Sequence, residues 1–305
     1  MFDILISTYN GEKYLEEQLD SIIFQTIQDW RILIRDDCSD DKTVEIISLY
    51  QNNFPSKIQV VKNNNINLGA TNSFFELLRH STSDLVMFCD QDDVWSRNKL
   101  EVMSDFYNKN IHEKQIPVLV HSACEVVDET LGVLEKETSA FNKQKCGMEK
   151  PFLWQIFQND VTGCTVLINA AMRETVNNID FLKHKIVQHD WFLAQIAYLC
   201  NAKFYFPGKT IKYRQHDGNA IGVKKMSLRK ILQYKIRHRM TYPYYDQVEA
   251  VLHSGVTILN EYKKILTEFS ELKYKCKFIR VCWHIKNRFF REGNVFLKLY
   301  QLLIC

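Results

Sequence analysis

The stretch Phe2–Ile23, FDILISTYNGEKYLEEQLDSII, decides how this chain is read. Residues 2–8 are a short apolar run that stops at Tyr9-Asn10-Gly11, residue types that favour turns. They read as a buried strand ending in a loop. Beyond the loop, Tyr14, Leu15, Leu19, Ile22 and Ile23 recur at helical spacing, so a helix is expected over 12–25.

Working outward, the same unit repeats. Trp30–Ile34 is a second strand and ends on Arg35-Asp36-Asp37-Cys38-Ser39-Asp40, where Ser39 or Asp40 is expected to cap a helix through Tyr50. Lys57–Val61 is a third strand, followed by the polar turn KNNNINLG and a helix near Thr71–Arg79. Asp84–Cys89 is a fourth and runs directly into Asp90-Gln91-Asp92-Asp93. Strands alternating with helices over short connections predict an α/β fold, a mostly parallel Rossmann-like sheet with helices on both faces. Ligands of such sheets lie beyond the carboxyl ends of the strands, so Tyr9–Gly11, Asp36-Asp37 and Asp90–Asp93 should meet on one edge. From about 117 to 223 the pattern is mixed, with strand-like segments at 118–128 and 164–168 and helices near 150–158 and from Asp190 to about Leu199. Long helical stretches follow at 226–240 and 278–290.

Composition bounds the function. In 305 residues, 46% are hydrophobic and 25% charged, which excludes disordered, collagen-like and disulfide-scaffold classes. The net charge of +3 hides a split: residues 1–223 carry 22 Lys/Arg and 30 Asp/Glu, residues 224–305 carry 17 and 6. Nine cysteines without a C-x-x-C pair argue against a zinc site or a disulfide framework, and reduced cytosolic thiols are expected. The N-terminus lacks the basic and apolar regions of a signal peptide, and no stretch reaches the roughly 18 apolar residues of a spanning helix. The expectation is a cytoplasmic protein, peripheral on the inner face of the membrane.

Asp90-Gln91-Asp92-Asp93 is the most informative cluster. Carboxylates crowded at a strand end repel one another and call for a cation, and oxygen ligands select hard ions such as Mg²⁺ or Mn²⁺. Two other readings of these residues stand beside it. One is a solvated acidic turn before a helix from Ser96. The other is the D-x-D-x-V of haloacid-dehalogenase-like phosphohydrolases, with Asp90 as phosphoryl acceptor, although that motif closes the first strand of its domain and here three strands precede it.

Seven blocks in order, ILISTYNGEKYLEEQLDSIIFQT, RDDCSDDKT, NLGATNSF, DLVMFCDQDDVW, NDVTGCTVLIN, HDWFLA and YRQHDGNAIG, resemble the family 2 glycosyltransferases of GT-A fold. The likeness is greatest to the bacterial rhamnosyltransferase-like branch that builds cell-surface polysaccharide, of O-antigen or capsule type, and it covers residues 2 to about 225. It implies a catalytic domain over 1–223, its nucleotide-binding half about 1–110 and its acceptor-binding half about 111–223, with a basic amphipathic helical extension over 224–305.

The resemblance implies an inverting, metal-dependent transfer from a nucleotide sugar, dTDP-rhamnose by first choice and UDP-hexose or UDP-N-acetylhexosamine otherwise, to a lipid-linked oligosaccharide. It assigns Thr8, Tyr9 and Glu12 to the nucleotide pocket and Asp37 to the base edge. Asp92 becomes the direct ligand of Mg²⁺ or Mn²⁺, with Asp90 toward the ribose or the metal's waters. Asp190 becomes the base that deprotonates the acceptor, and as a bare residue type it also suits a helix N-cap. His216 would complete the metal shell, with Arg214 near the phosphates. Trp191 is the preferred acceptor-sugar contact, beside His189, since aromatic planes cover the apolar faces of sugars; Trp95 and Trp154 are weaker choices. Two departures from the family pattern are Cys38, where Gly is usual, and the run Asp217-Gly218-Asn219.

The extension interleaves positive charges with Leu, Ile, Phe, Tyr and Trp, a pattern that suits an anionic membrane surface. Its helices would otherwise pack on the body or on a second copy of the chain, as in a homo-oligomer. Nucleic-acid binding is the rival use of the same charge. No nucleic-acid module is recognisable, and the acidic body would repel phosphate, so nucleic acid is not expected as a partner.

Overall fold

The computed structural model describes residues 1–136, 138, 141, 155–156, 158–180, 184–217, 219 and 243–287. In chain order these give β1 (Phe2–Thr8), α1 (Leu15–Ile23), β2 (Trp30–Asp36), α2 (Thr43–Asn53), β3 (Ile58–Val60), α3 (Gly69–His80), β4 (Leu85–Cys89), β5 (Val94–Trp95) and α4 (Lys99–Asn110). Then come β6 (Leu119–Val127), β7 (Val166–Asn169), α5 (Ala170–Asn177), α6 (His189–Leu199), β8 (Lys203–Arg214), α7 (Pro243–Leu252), α8 (Asn260–Glu271) and α9 (Lys277–Lys286). The expected stretch 226–240, most of the expected helix at 150–158 and Trp154 lie outside the described residues.

The strands form one sheet in the order β3-β2-β1-β4-β7-β6-β8-β5. β3, β2, β1 and β4 are parallel, as the strand-helix alternation predicts. β7 runs antiparallel to both its neighbours, and β5 antiparallel to β8, so the second half of the sheet is mixed. The central strands read as continuous apolar runs because both faces are covered. Leu5, Leu33, Val86 and Phe88 enter a core with α3, α5 and α6. Ile4, Ile6, Ile32, Ile34, Met87 and Cys89 enter the opposite core with α1, α2 and α4. Tyr245 and Val248 of α7 and Leu266 and Phe269 of α8 join the first of these cores. Among the described residues, no helix is long and apolar enough to cross a membrane.

The expected cap of α2 is corrected by one residue or two. The helix starts at Thr43, and the carboxylate of Asp41, not Ser39 or Asp40, accepts the Thr43 amide at 2.9 Å. Ser39 is drawn away instead: its amide and hydroxyl both donate to Asp36.

At the opposite edge from the loops, Asp3 ties three segments together. It accepts two hydrogen bonds from Arg31 at 2.9 Å and others from the Ser81 hydroxyl and the Thr82 and Ser83 amides. Burial works against its charge, but the bonds from Arg31, Thr82, Ser81 and Ser83 prevail and hold its pKa below the usual value. A carboxylate so depressed stabilises the fold above its unfolded pKa, and that contribution is lost as pH falls through the folded pKa. Asp3→Ala is therefore expected to cost about 2 kcal/mol in urea unfolding at pH 7. The gap from wild type should narrow below about pH 4, the ordinary aspartate range; a gap constant from pH 7 to pH 3 would disprove the assignment.

Candidate active site

Parallel pairing sets Thr8 beside Asp36 and Ile6 beside Cys89, so the loops after β1, β2 and β4 leave the sheet at one edge. There they are laced together. The Thr8 hydroxyl donates to Asp36, the Asn10 amide to Ser39, the Asp40 amide to Asn10, the Gly11 amide to Thr43 and the Glu12 amide to Asp41. Gln91 of the acidic cluster grips Tyr9 from both sides, accepting its amide at 2.8 Å and donating to its carbonyl at 2.9 Å. Gly11 makes room for this grip, since a β-carbon there would lie 2.4 Å from Gln91 Oε1.

These loops form one wall of a cleft of about 850 Å³. Thr8, Tyr9, Asp37, Asp90 and Asp92 line it together with Asn159, Val161–Gly163 and Gln188–Trp191. Asp37 is buried, its carboxylate accepting the amides of Leu68 and Gly69 at 2.7 Å and a bond from Arg35. A carboxylate has about four lone-pair sites, and these three donors leave one on Oδ2. Cys38 follows at φ 71°, a left-handed conformation that glycine adopts without strain. The backbone thus explains why glycine is the usual residue at this turn.

The acidic cluster is crowded. Burial, then Asp92 and Asp190, push the Asp90 carboxyl up to about 7, although the Cys164 thiol and Lys99 oppose the rise. Asp93 is fully buried and is raised well above the carboxylate range by burial, Asp92 and Asp90. It accepts the Arg214 amide at 3.0 Å. Lys99, also fully buried, donates to the Cys164 carbonyl at 2.6 Å, and its ammonium lies 4.1 Å from the centre of the Trp95 ring.

These residues fit a divalent ion on two counts. Ligand atoms of Asp90, Asp93 and Cys164 lie within 4.8 Å of one another, and burial with the mutual repulsion of the carboxylates raises Asp90 and Asp93, a cost that a bound cation would relieve. Separately, His216 Nε2 lies 2.8 Å from Asp92 Oδ2. The two are directly hydrogen-bonded, and the separation is also close to the roughly 3 Å between adjacent ligands of an octahedral ion bound at about 2.1 Å.

The model of the family described as glycosyl transferase family 2 matches residues 3–157. A dTDP-rhamnosyl transferase of Shigella flexneri, RfbG, is 32% identical over 228 residues, covering 71% of this chain and 73% of its own length. The chain belongs to glycosyl transferase family 2. TarS of Staphylococcus aureus, a poly(ribitol-phosphate) β-N-acetylglucosaminyltransferase, is 28% identical over 111 residues, 36% of this chain and 19% of that one. Its crystal structure with UDP-GlcNAc matches at a TM-score of 0.59 and 17% identity, covering 90% of this chain and 73% of the other. A mannosyltransferase of Pyrobaculum calidifontis in complex with GDP-Man and Mn²⁺ matches at 0.56 and 14%, covering 99% of this chain and 78% of that one. At such identities the likeness is one of fold, the GT-A architecture.

Within this family 2 glycosyltransferase, Thr8, Tyr9, Asp37, Asp90, Asp92, His189, Asp190 and Trp191 do line one cleft. Three expected residues are placed differently. Glu12 accepts the Lys42 amide and lines a shallow depression between α1 and α2, outside the cleft. Arg214 is engaged within the protein: its guanidinium donates to the Asp92 and Glu129 carbonyls and to Glu17, and packs 4.6 Å from the centre of the Tyr14 ring. His189 is packed between Phe74 and Phe88, ring centres 4.3 and 5.1 Å away, and burial lowers its pKa, so it stays neutral. Trp191 is 5% exposed, donates to the Gln155 carbonyl and meets Tyr244 of α7 edge to face. Trp95 is a core residue. Asp190 is not the N-cap of α6, which is Gln188; it lies in the first turn.

Sequence reasoning missed Gln91, Asp93, Lys99, Cys164 and Asn219. Asp93 and Gln91 stand inside the quoted motif and were open to inspection; Lys99 gives no signal, since a lysine opening a helix ordinarily faces water. Gly11→Ala is expected to displace Gln91 and break its two bonds to Tyr9, costing about 1–3 kcal/mol of stability. Gln91→Ala should remove most of the further cost of Gly11→Ala, which a double-mutant cycle in thermal or urea unfolding checks; simple additivity would exclude the contact.

Proposed function

We propose that this chain is an inverting glycosyltransferase that moves a sugar from a nucleoside-diphosphate donor to a hydroxyl of a lipid-linked glycan in O-antigen- or capsule-type polysaccharide synthesis. The observation that carries the reading is that the acidic end of β4 and Asp190 of α6 line one cleft, with Asp190 near enough to raise the Asp90 carboxyl. For the donor, L-rhamnose from dTDP-rhamnose is the choice the 32% identity to RfbG supports. The UDP-GlcNAc complex of TarS keeps UDP-N-acetylhexosamine or UDP-hexose as the second choice.

Asp92 and His216, with Asp90 beside them, would hold a Mg²⁺ or Mn²⁺ ion, which would supply positive charge against the diphosphate leaving group. The chain's own groups do the rest. The β1 loop, Asn67–Thr71 and Asp37 frame the nucleotide end, and the remaining lone pair on Asp37 Oδ2 suits an N–H on the base edge. Asp190 Oδ1 is occupied by the Trp191 amide at 2.7 Å, which orients the carboxylate. Oδ2, without a hydrogen bond among the described residues, receives the proton from the acceptor hydroxyl as that oxygen attacks the anomeric carbon. Only one carboxylate is needed on this side, because a single displacement inverts the centre.

Membrane attachment is part of the proposal. Tyr274, Phe278, Ile279 and Ile285 are exposed on α9 and the turn before it, among Lys275, Lys277, Arg280 and Lys286. Apolar side chains flanked by cations match an anionic leaflet. The reading places the enzyme peripherally on the cytoplasmic face.

The test is release of nucleoside diphosphate from a donor panel that includes dTDP-rhamnose, with a lipid-linked acceptor and Mg²⁺ or Mn²⁺. Asp190→Asn should lower kcat by about 10²–10⁴ with donor KM unchanged. No divalent-dependent release from any donor would overturn the function, and release of inorganic phosphate from simple phosphomonoesters, lost in Asp90→Asn, would favour a phosphohydrolase instead.

A further inference from the structure

The reading above gives His216 a place in the metal shell but does not say what holds an imidazole on a loop in that place. His216 lies two residues beyond the end of β8, where a side chain is ordinarily free to change rotamer. Here it is bracketed. Its ring centre lies 4.7 Å from that of Tyr14, the planes inclined at 37°. Tyr14 precedes the first residue of α1 and is 8% exposed. Its ring is fixed by Arg214, by Lys13 with its ammonium 4.9 Å from the ring centre, and by a hydroxyl bond to Glu129 at 3.4 Å. From the other side, Asn219 accepts the His216 amide at 2.5 Å and donates to Asp92 Oδ2 at 3.2 Å and to the Arg214 carbonyl at 3.1 Å.

We infer that Tyr14 and Asn219 are positioning residues for the His216–Asp92 pair. Tyr14 fixes the plane of the imidazole, and Asn219 closes the turn while holding the same carboxylate oxygen that His216 addresses. The more familiar arrangement orients a ligating histidine by a hydrogen bond to its second ring nitrogen. The tilted Tyr14 ring adds a constraint on the plane of the imidazole through its face. Ordering a free side chain opposes binding, so a pair ordered beforehand binds its ion more tightly.

The inference rests on the reading of Asp92 and His216 as ion ligands, and one experiment separates the two. Mn²⁺ alone is titrated into the full chain and free Mn²⁺ is followed by electron paramagnetic resonance. His216→Ala and Asp92→Asn should weaken binding at least about 10-fold; wild-type affinity in both would overturn the ion reading itself. Tyr14→Leu and Asn219→Ala are each expected to weaken it about 10-fold, at the lower end of the effect of outer-shell partners. Tyr14→Phe should keep wild-type affinity because it keeps the ring. In a cycle, Tyr14→Leu should add nothing to His216→Ala. Loss in His216→Ala with no loss in Tyr14→Leu and Asn219→Ala, or losses that simply add, would overturn the positioning role while leaving the ion reading intact. Circular dichroism checks that Tyr14→Leu folds, and should it not, Asn219→Ala and Tyr14→Phe decide the matter.

Discussion

Three aspartates within four residues at the end of a buried strand are the constraint on which the rest of the site depends. Charges of one sign so close together in a low-dielectric setting are costly unless compensated. The fold supplies the compensation from distant parts of the chain. Lys99 arrives from the start of α4, wholly buried, and Cys164 from the segment before β7. The far end of β8 brings the Arg214 amide to Asp93 and the Arg214 side chain to the Asp92 carbonyl. The mixed second half of the sheet is what allows this: β8 runs parallel to β6 on one side and holds β5, the strand just after the acidic cluster, on the other. A uniformly parallel sheet would have no strand placed to do both.

The first half of the fold is legible in the sequence because its strands obey a simple rule. A strand buried on both faces must be apolar throughout, and its ligand-bearing loop must be polar, so FDILIST then YNG, and LVMFC then DQDD, announce their own boundaries. The second half is not legible for equally physical reasons. β5 is two residues long, too short to show a period. β8 contains Pro207 and Gly208 and alternates irregularly between buried and exposed positions, so KFYFPGKTIKYR gives no strand pattern. Nothing local tells β7 to run backwards; that direction follows from which neighbours it meets in the finished sheet.

Site residues divide the same way. Thr8, Tyr9, Asp37, Asp90, Asp92 and Asp190 sit at strand ends or a helix start, positions that a topological rule can predict. Arg214 and His189 are assigned only by the resemblance, and a resemblance at one position does not reveal which neighbours within the protein a side chain packs against. An arginine near phosphates and an arginine clasping the loop that would hold those phosphates look identical in sequence. The two departures from the family pattern repay attention for opposite reasons. Cys38 takes on the left-handed conformation that glycine would have adopted freely, whereas Asn219 brings a side chain that bonds the metal-pair carboxylate.

The charge split also acquires a meaning. Residues 1–223 carry eight more acidic than basic side chains, and an acidic body should repel a nucleoside diphosphate. In the proposed state a divalent ion at the β4 end would offset that repulsion at one point, beside Lys99 and Arg214. Among the described residues of the extension, α7 and α8 share a core with α3 and α6, while the apolar side chains Phe278, Ile279 and Ile285 of α9 are exposed. In the proposed reading, attachment to an anionic lipid surface through α9 and donor binding at the β4 end would use different parts of the molecule, and neither would have to be weakened for the other.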